Sequence, residues 1–82
     1  MPYFVYLLRC SDNSLYCGYT SNLKNRVVAH NLGRGSKYVR ARRPAKLVYF
    51  EKLSSQKTAM RRELAIKRLS KKKKEALFLG KC

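Results

Sequence analysis

Acidic residues are scarce in this sequence. Asp12, Glu51, Glu63 and Glu75 stand against twenty lysines and arginines, a net charge of +16. A chain so short of carboxylates cannot neutralise its own surface, and the self-repulsion costs stability. The balance points to a polyanionic partner, with nucleic acid ahead of an anionic membrane. Long apolar runs are missing too. The first one, Tyr3 to Leu8, is too short to cross a bilayer, and no basic region precedes it as in a secretory signal. The three cysteines include no C-x-x-C pair, which argues against a structural zinc site. Cys10, Cys17 and Cys82 read as reduced thiols, and the expected location is cytoplasmic. There is no internal repeat, no linker and no helix-turn-helix or other base-reading module. The expectation is therefore one domain, residues 1–82, with one modest core and a monomeric state.

What is present reads as an alternation of short elements. Tyr3 to Cys10 is rich in β-branched and aromatic residues and predicts a strand. "SDNS" supplies turn chemistry, and Leu15 to Thr20 predicts a second strand. Asn22 is placed to cap a helix from about Leu23 to Leu32. Gly33 to Pro44 reads as a basic loop with room for a short turn. Lys46 to Leu53 predicts a third strand. Ser54 or Ser55 can cap a helix that runs to about Leu69, and Ser70 a short last helix through "KKKKEALFL". The order β-β-α-β-α-α predicts an α+β fold, a small three-stranded antiparallel sheet with helices packed beside it.

The first hairpin raises a question of parity, because side chains alternate along a strand. A two-residue loop, Asp12 and Asn13, would send Tyr6 and Tyr16 to opposite faces. A three-residue loop, Ser11 to Asn13, would end in a left-handed residue, a role asparagine tolerates. It would set Cys10 opposite Ser14, Leu8 opposite Tyr16 and Tyr6 opposite Gly18. The two phenols would then share a face, with Gly18 leaving space in front of Tyr6. Cys10 and Cys17 would lie on opposite faces and form no disulfide. The three-residue loop is the expected one.

The helices add further polar groups. Arg26 and His30 are four residues apart and lie on one helix face, at the edge of the Leu23 and Val27 stripe. Glu63 has Ala59, Met60, Ile66 and Lys67 as helical neighbours, which puts a carboxylate at the border of the core. Asp12 belongs to the turn, Glu75 to the lysine-rich last helix, and Glu51 is expected to point outward from its strand. Glu63 is thus the best-placed metal ligand. In the basic loop, Lys37, Tyr38, Arg40, Arg42 and Arg43 alternate cations with an aromatic, a pattern suited to holding phosphates with one stacking partner.

Taken in order, these residues resemble the GIY-YIG nucleases. The first motif is Phe4-Val5-Tyr6 and the second Tyr16-Cys17-Gly18. Arg26 and His30 match the family's helical Arg and His, and Glu63 in "RREL" matches its metal-binding glutamate. The resemblance covers nearly the whole chain and is nearest to the small, stand-alone bacterial members. Phe4 stands where the family's first glycine is. The asparagine found near the end of several nuclease members has no counterpart after Glu63.

The resemblance implies metal-dependent hydrolysis of DNA phosphodiester bonds, on damaged, branched or single-stranded DNA. The implied catalytic residues are Tyr6, Tyr16, Arg26, His30 and Glu63, with one divalent cation, Mg²⁺ or Mn²⁺, on Glu63. Lys37, Tyr38, Arg40, Arg42 and Arg43 would bind the nucleic acid. Charge alone does not separate RNA from DNA, and either tyrosine can be the base. The alternative function is a nucleic-acid-binding module that keeps the nuclease fold with little or no catalysis.

Overall fold

The computed structural model describes residues 2–79; Cys82 lies outside them. Strands β1 (Tyr3–Arg9) and β2 (Leu15–Thr20) are followed by helix α1 (Leu23–Asn31) and a one-turn helix α2 (Lys37–Arg40). Strand β3 (Lys46–Leu53) and helices α3 (Gln56–Lys67) and α4 (Lys71–Leu79) complete the chain. The fold is α+β, with an antiparallel sheet in the order β2-β1-β3. The short turn for which the basic loop has room is the one-turn helix α2, which adds an element to the expected order. Ser36 caps it by accepting a hydrogen bond from the Val39 amide, and Val39 is fully buried. A single buried valine in a run of cations gives no periodic signal, so sequence pattern did not show that this turn is helical.

The caps explain where the other helices begin. Asn22 accepts from the Asn25 amide at 3.1 Å, and Ser55, not Ser54, accepts from the Thr58 amide at 3.2 Å. Each satisfies one of the amides that a helix start leaves without a partner.

The central strand is buried on both faces. Val5, Tyr6, Leu7 and Leu8 are each 0–1% exposed. On one face Val5, Leu7 and Cys17 pack with Ala59 and Ile66 of α3 and with Leu77 and Phe78 of α4. On the other, Tyr6, Leu8 and Cys10 pack with Leu23 and Val27 of α1 and with Val39 of α2. Helices therefore cover both sides of the sheet. Full burial of one such aliphatic side chain contributes about 1.5–3 kcal/mol, so β1 is the backbone of both layers.

Strand β3 is irregular. Leu7 faces Tyr49 but Leu8 faces Leu47, so Val48 is an extra residue, a β-bulge. The shift turns Glu51 inward, toward the α3 side, and not outward as expected. Arg62 of α3 binds Glu51 at both carboxylate oxygens, each at 2.8 Å, and Tyr49 donates to the same carboxylate. This paired geometry is stronger than a single contact. Arg9 binds Glu75 at 2.9 Å and lies over Phe78, which ties α4 to the sheet.

The hairpin has the three-residue loop. Cys10 N donates to Ser14 O, Tyr6 faces Gly18, and Leu8 faces Tyr16. Asn13 has φ 71°, and Asp12 closes the turn by accepting from the Ser14 amide at 3.1 Å. Cys10 and Cys17 lie in separate cores and are free thiols. Because asparagine tolerates positive φ better than alanine does, and glycine adopts it freely, Asn13→Ala should lower unfolding free energy by roughly 1 kcal/mol in urea melts, and Asn13→Gly should not. Equal stability of Asn13→Ala and wild type would contradict this turn.

Candidate active site

Hairpin parity puts Tyr6 and Tyr16 on the α1 side of the sheet, with ring centroids 6.4 Å apart. Gly18 does not leave the expected open floor, because the ring of Tyr6 fills it. A Cβ on Gly18 would lie 2.5 Å from the Tyr6 hydroxyl oxygen and 2.7 Å from Cζ. The glycine in β2 is there so that this phenol can lie across the strand. Tyr6 is consequently 1% exposed.

The Tyr6 hydroxyl meets His30. Its oxygen is 2.8 Å from Nε2, a buried hydrogen bond between the central strand and α1. His30 has no exposed surface. Its other face is closed by backbone: a methyl group on Gly35 would overlap the imidazole ring at Nδ1, Cε1 and Cγ. The two glycines thus enclose one tyrosine–histidine pair. Burial raises the Tyr6 pKa to about 12, against an opposing effect of Arg26. Burial, aided by the Arg26 charge, lowers that of His30 below its ordinary value. At neutral pH the pair is a neutral phenol and a neutral imidazole.

Arg26 lies one helical turn before His30. Its Nε is buried and has no hydrogen-bond partner, and none of the ion pairs among the described residues involves it. A buried donor left unpaired costs about 1–3 kcal/mol. A cation in that state beside Tyr6 and His30 is suited to an anionic ligand, and its planar fork can hold two phosphate oxygens.

Tyr16 is the more accessible phenol. Its ring packs edge-on against His30 at 5.3 Å and stacks on Tyr38 at 5.9 Å. The Arg42 guanidinium lies 3.9 Å from the Tyr38 ring centroid, donates to Tyr38 O, and donates through Nε to Asp12 at 2.9 Å. The row His30, Tyr16, Tyr38, Arg42 therefore runs from the core to the hairpin turn. Tyr38 and Arg42 support Tyr16. Lys37 and Arg40 are exposed at the two ends of α2, and Arg43 is exposed beyond it.

Glu63 is held elsewhere. It belongs to α3, which packs on the other side of the sheet. Its backbone carbonyl accepts from Cys17 Sγ at 3.9 Å, next to Tyr16 and Gly18 in β2, the edge strand. The carboxylate is 15% exposed and its ion-pair partner is Lys67 at 3.6 Å. Asp12, Glu51 and Glu75 are each bound to an arginine within 2.9 Å. Among the described residues, Glu63 alone has no arginine. Tyr6, Tyr16, Arg26 and His30 thus share one side of the sheet, and Glu63 approaches the edge strand from the other.

Two residues that sequence reasoning passed over complete the cluster. Gly35 forms the wall behind His30; its only signal was a second glycine just before the capping Ser36. Asn31 bridges α1 to the start of β3, accepting from the Ala45 amide at 2.7 Å and donating to the Ala45 carbonyl at 2.8 Å. No local pattern assigned that asparagine a structural role.

The fold and this cluster define a class. Residues 2–76 match the GIY-YIG catalytic domain, and the chain belongs to the GIY-YIG family. The relatives it resembles are small UPF0213 proteins. One from Staphylococcus haemolyticus is 51% identical over 88% of this chain and 88% of its own length. One from the archaeon Natronomonas pharaonis is 49% identical over 92% of this chain and 88% of its own. The solution NMR structure of a UPF0213 protein from Bacillus halodurans superposes with a TM-score of 0.60 at 44% identity, covering 94% of this chain and 82% of that one. Membership supports nucleic-acid binding and a nuclease type of chemistry. No helix among the described residues is long and apolar enough to cross a membrane.

The depressed His30 pKa has a consequence for stability. The unfolded chain takes up a proton near pH 6.5 that the folded chain refuses. The contribution of His30 is complete above that pH and is lost as pH falls below it toward the folded value. Urea unfolding should show stability declining from pH 7 to pH 5.5. In His30→Gln the decline over that interval should shrink. An unchanged decline would mean that His30 is not a buried neutral imidazole.

Proposed function

We propose that the protein hydrolyses phosphodiester bonds in DNA with the help of a divalent cation. The observation that carries this reading is Arg26: a cation with a buried, unpartnered Nε, beside Tyr6 and His30, in a GIY-YIG domain. Arg26 would hold the phosphate whose bond is cut. Tyr16, the phenol that water can reach, would act as its phenolate: having given its own proton to solvent, it would take up the proton of the attacking water. Tyr6 and His30 act as positioning residues, since each is enclosed and the Tyr6 hydroxyl meets His30 Nε2. They hold α1 against β1 and so fix where Arg26 points.

Among the described residues there is no group of three or more His, Cys, Asp or Glu side chains that could hold a metal. A hard cation that keeps most of its waters needs only one or two carboxylates. Glu63, without an arginine to neutralise it, fits that demand for Mg²⁺ or Mn²⁺. Such an ion supplies charge neutralisation at the phosphate and help for the leaving oxygen. The role of the protein is to set Arg26 and Tyr16 beside β2 and Glu63 behind the same strand.

The test is cleavage of supercoiled plasmid and of branched, nicked and single-stranded DNA in Mg²⁺ or Mn²⁺. Wild type should cleave at least one of them. Glu63→Ala should lose cleavage and keep DNA binding, because it removes a negative charge. Tyr16→Phe should slow cleavage by about 10²–10⁴-fold with binding retained. Arg26→Ala should weaken both, since it contacts the phosphate before and during reaction. Wild type and Glu63→Ala equally inactive on every substrate, with binding intact, would favour the binding-module alternative.

A further inference from the structure

The basic segment after α1 divides into two kinds of arginine. Arg42 is engaged: Asp12 neutralises it, and Tyr38 holds it through its ring and its carbonyl. Arg40 and Arg43 have no carboxylate partner among the described residues. They line a depression of about 470 Å³ together with Asn31, Ala41 and Pro44.

Arg43 is ordered without losing its charge. Its Nε donates to Arg40 O at 3.0 Å and its Nη1 points to Asn31 O at 3.5 Å. Both arginines lie across Gly33, whose φ is +83°; a Cβ there would sit 3.1 Å from Arg43 Nη1 and 3.5 Å from Arg40 Cδ. Gly33 turns the chain out of α1 at a positive φ, and the end of the Arg43 side chain lies close against it. Asn31 forms the wall nearest the active-site cluster, directly after His30, and its amide is already satisfied by Ala45. What the depression offers a ligand is therefore two positive charges, Arg43 held by two carbonyls and Arg40 exposed, with guanidinium donors beyond those the carbonyls use.

We propose that Arg40 and Arg43 form a second phosphate site, which holds the nucleic-acid backbone at a phosphate flanking the one bound by Arg26. The proposal rests on the reading of the protein as a nucleic-acid enzyme. His30 and Asn31 are consecutive, so one end of α1 serves both sites. The pair of sites would set the path of one strand across α1 and α2 and make binding independent of sequence. Arg42, with its charge cancelled by Asp12, contributes support for Tyr38 and Tyr16 and little to affinity.

Fluorescence anisotropy with a labelled 20-nucleotide single strand, in EDTA and across a salt series, separates these roles. Each phosphate neutralised on single-stranded DNA contributes about 0.7 to the slope of log affinity against log salt. Arg40→Ala and Arg43→Ala should each reduce the slope by about that amount, and the double variant by about 1.4. Arg40→Lys/Arg43→Lys keeps the charge and should keep the slope even if the hydrogen bonds to the carbonyls are lost. Asp12→Ala/Arg42→Ala, which is neutral in charge, should leave the slope unchanged. A wild-type slope in the double alanine variant, with its circular dichroism intact, would overturn the second site and leave the nuclease reading standing. Absence of any salt-sensitive binding by wild type would overturn both. An Asp12→Ala/Arg42→Ala slope that falls as far as that of the double alanine variant would overturn the division between the arginines.

Discussion

The hydrogen bond between Tyr6 and His30 is the constraint on which the site depends. It joins the most buried strand of the sheet to α1. It exists only because two backbones come close enough to enclose it, one at Gly18 and one at Gly35. In a low-dielectric interior such a bond is worth more than in water, and breaking one partner leaves the other unsatisfied. The same bond fixes the rotation of α1 about its axis. That rotation determines where Arg26 lies, one turn earlier. The proposed anion site thus depends on a contact between two neutral groups.

Charge then distinguishes what holds the fold from what is left for a ligand. Three of the four acids are bound to arginines that tie elements together: Asp12 to Arg42, Glu51 to Arg62 and Glu75 to Arg9. These pairs connect the hairpin turn to the segment after α2, β3 to α3, and β1 to α4. Exposed pairs of this kind contribute little each, but the bidentate and partly buried Glu51–Arg62 pair is the strongest by geometry. Arg26, Arg40 and Arg43 remain without acids among the described residues. A chain with so few carboxylates cannot neutralise its cations internally: of the six arginines without an acid among the described residues, Arg26, Arg34, Arg40 and Arg43 belong to α1, α2 and their connections, and Arg61 and Arg68 to α3 and its end.

Much of this was legible in the sequence, for identifiable reasons. The strands Leu15–Thr20 and Lys46–Leu53 and the caps at Asn22 and Ser55 follow from local chemistry. The register of the hairpin followed from one residue, Asn13, whose tolerance of positive φ selected the loop length. Tyr6, Tyr16, Arg26 and His30 were selected by motif order, and the structure brings these four to one side of the sheet. What was not legible depends on contacts distant in sequence. Gly18 read as an empty space, whereas the ring it faces fills that space. Glu51 read as outward because a bulge at Val48 has no local signature. Gly35 and Asn31 act through tertiary approach alone, and the pairing of Arg42 with Asp12 crosses thirty residues.

The most direct measurement of the central claim is a double-mutant cycle on Tyr6 and His30, with Tyr6→Phe, His30→Leu and the double variant compared by urea unfolding at pH 7.5. If the buried bond joins strand to helix as described, each single variant leaves one polar group unpaired. The double variant should then be less destabilised than the sum of the singles by about 1 kcal/mol or more. Additivity within about 0.5 kcal/mol would mean that the two residues do not act as a unit, and the account of how Arg26 is placed would be wrong.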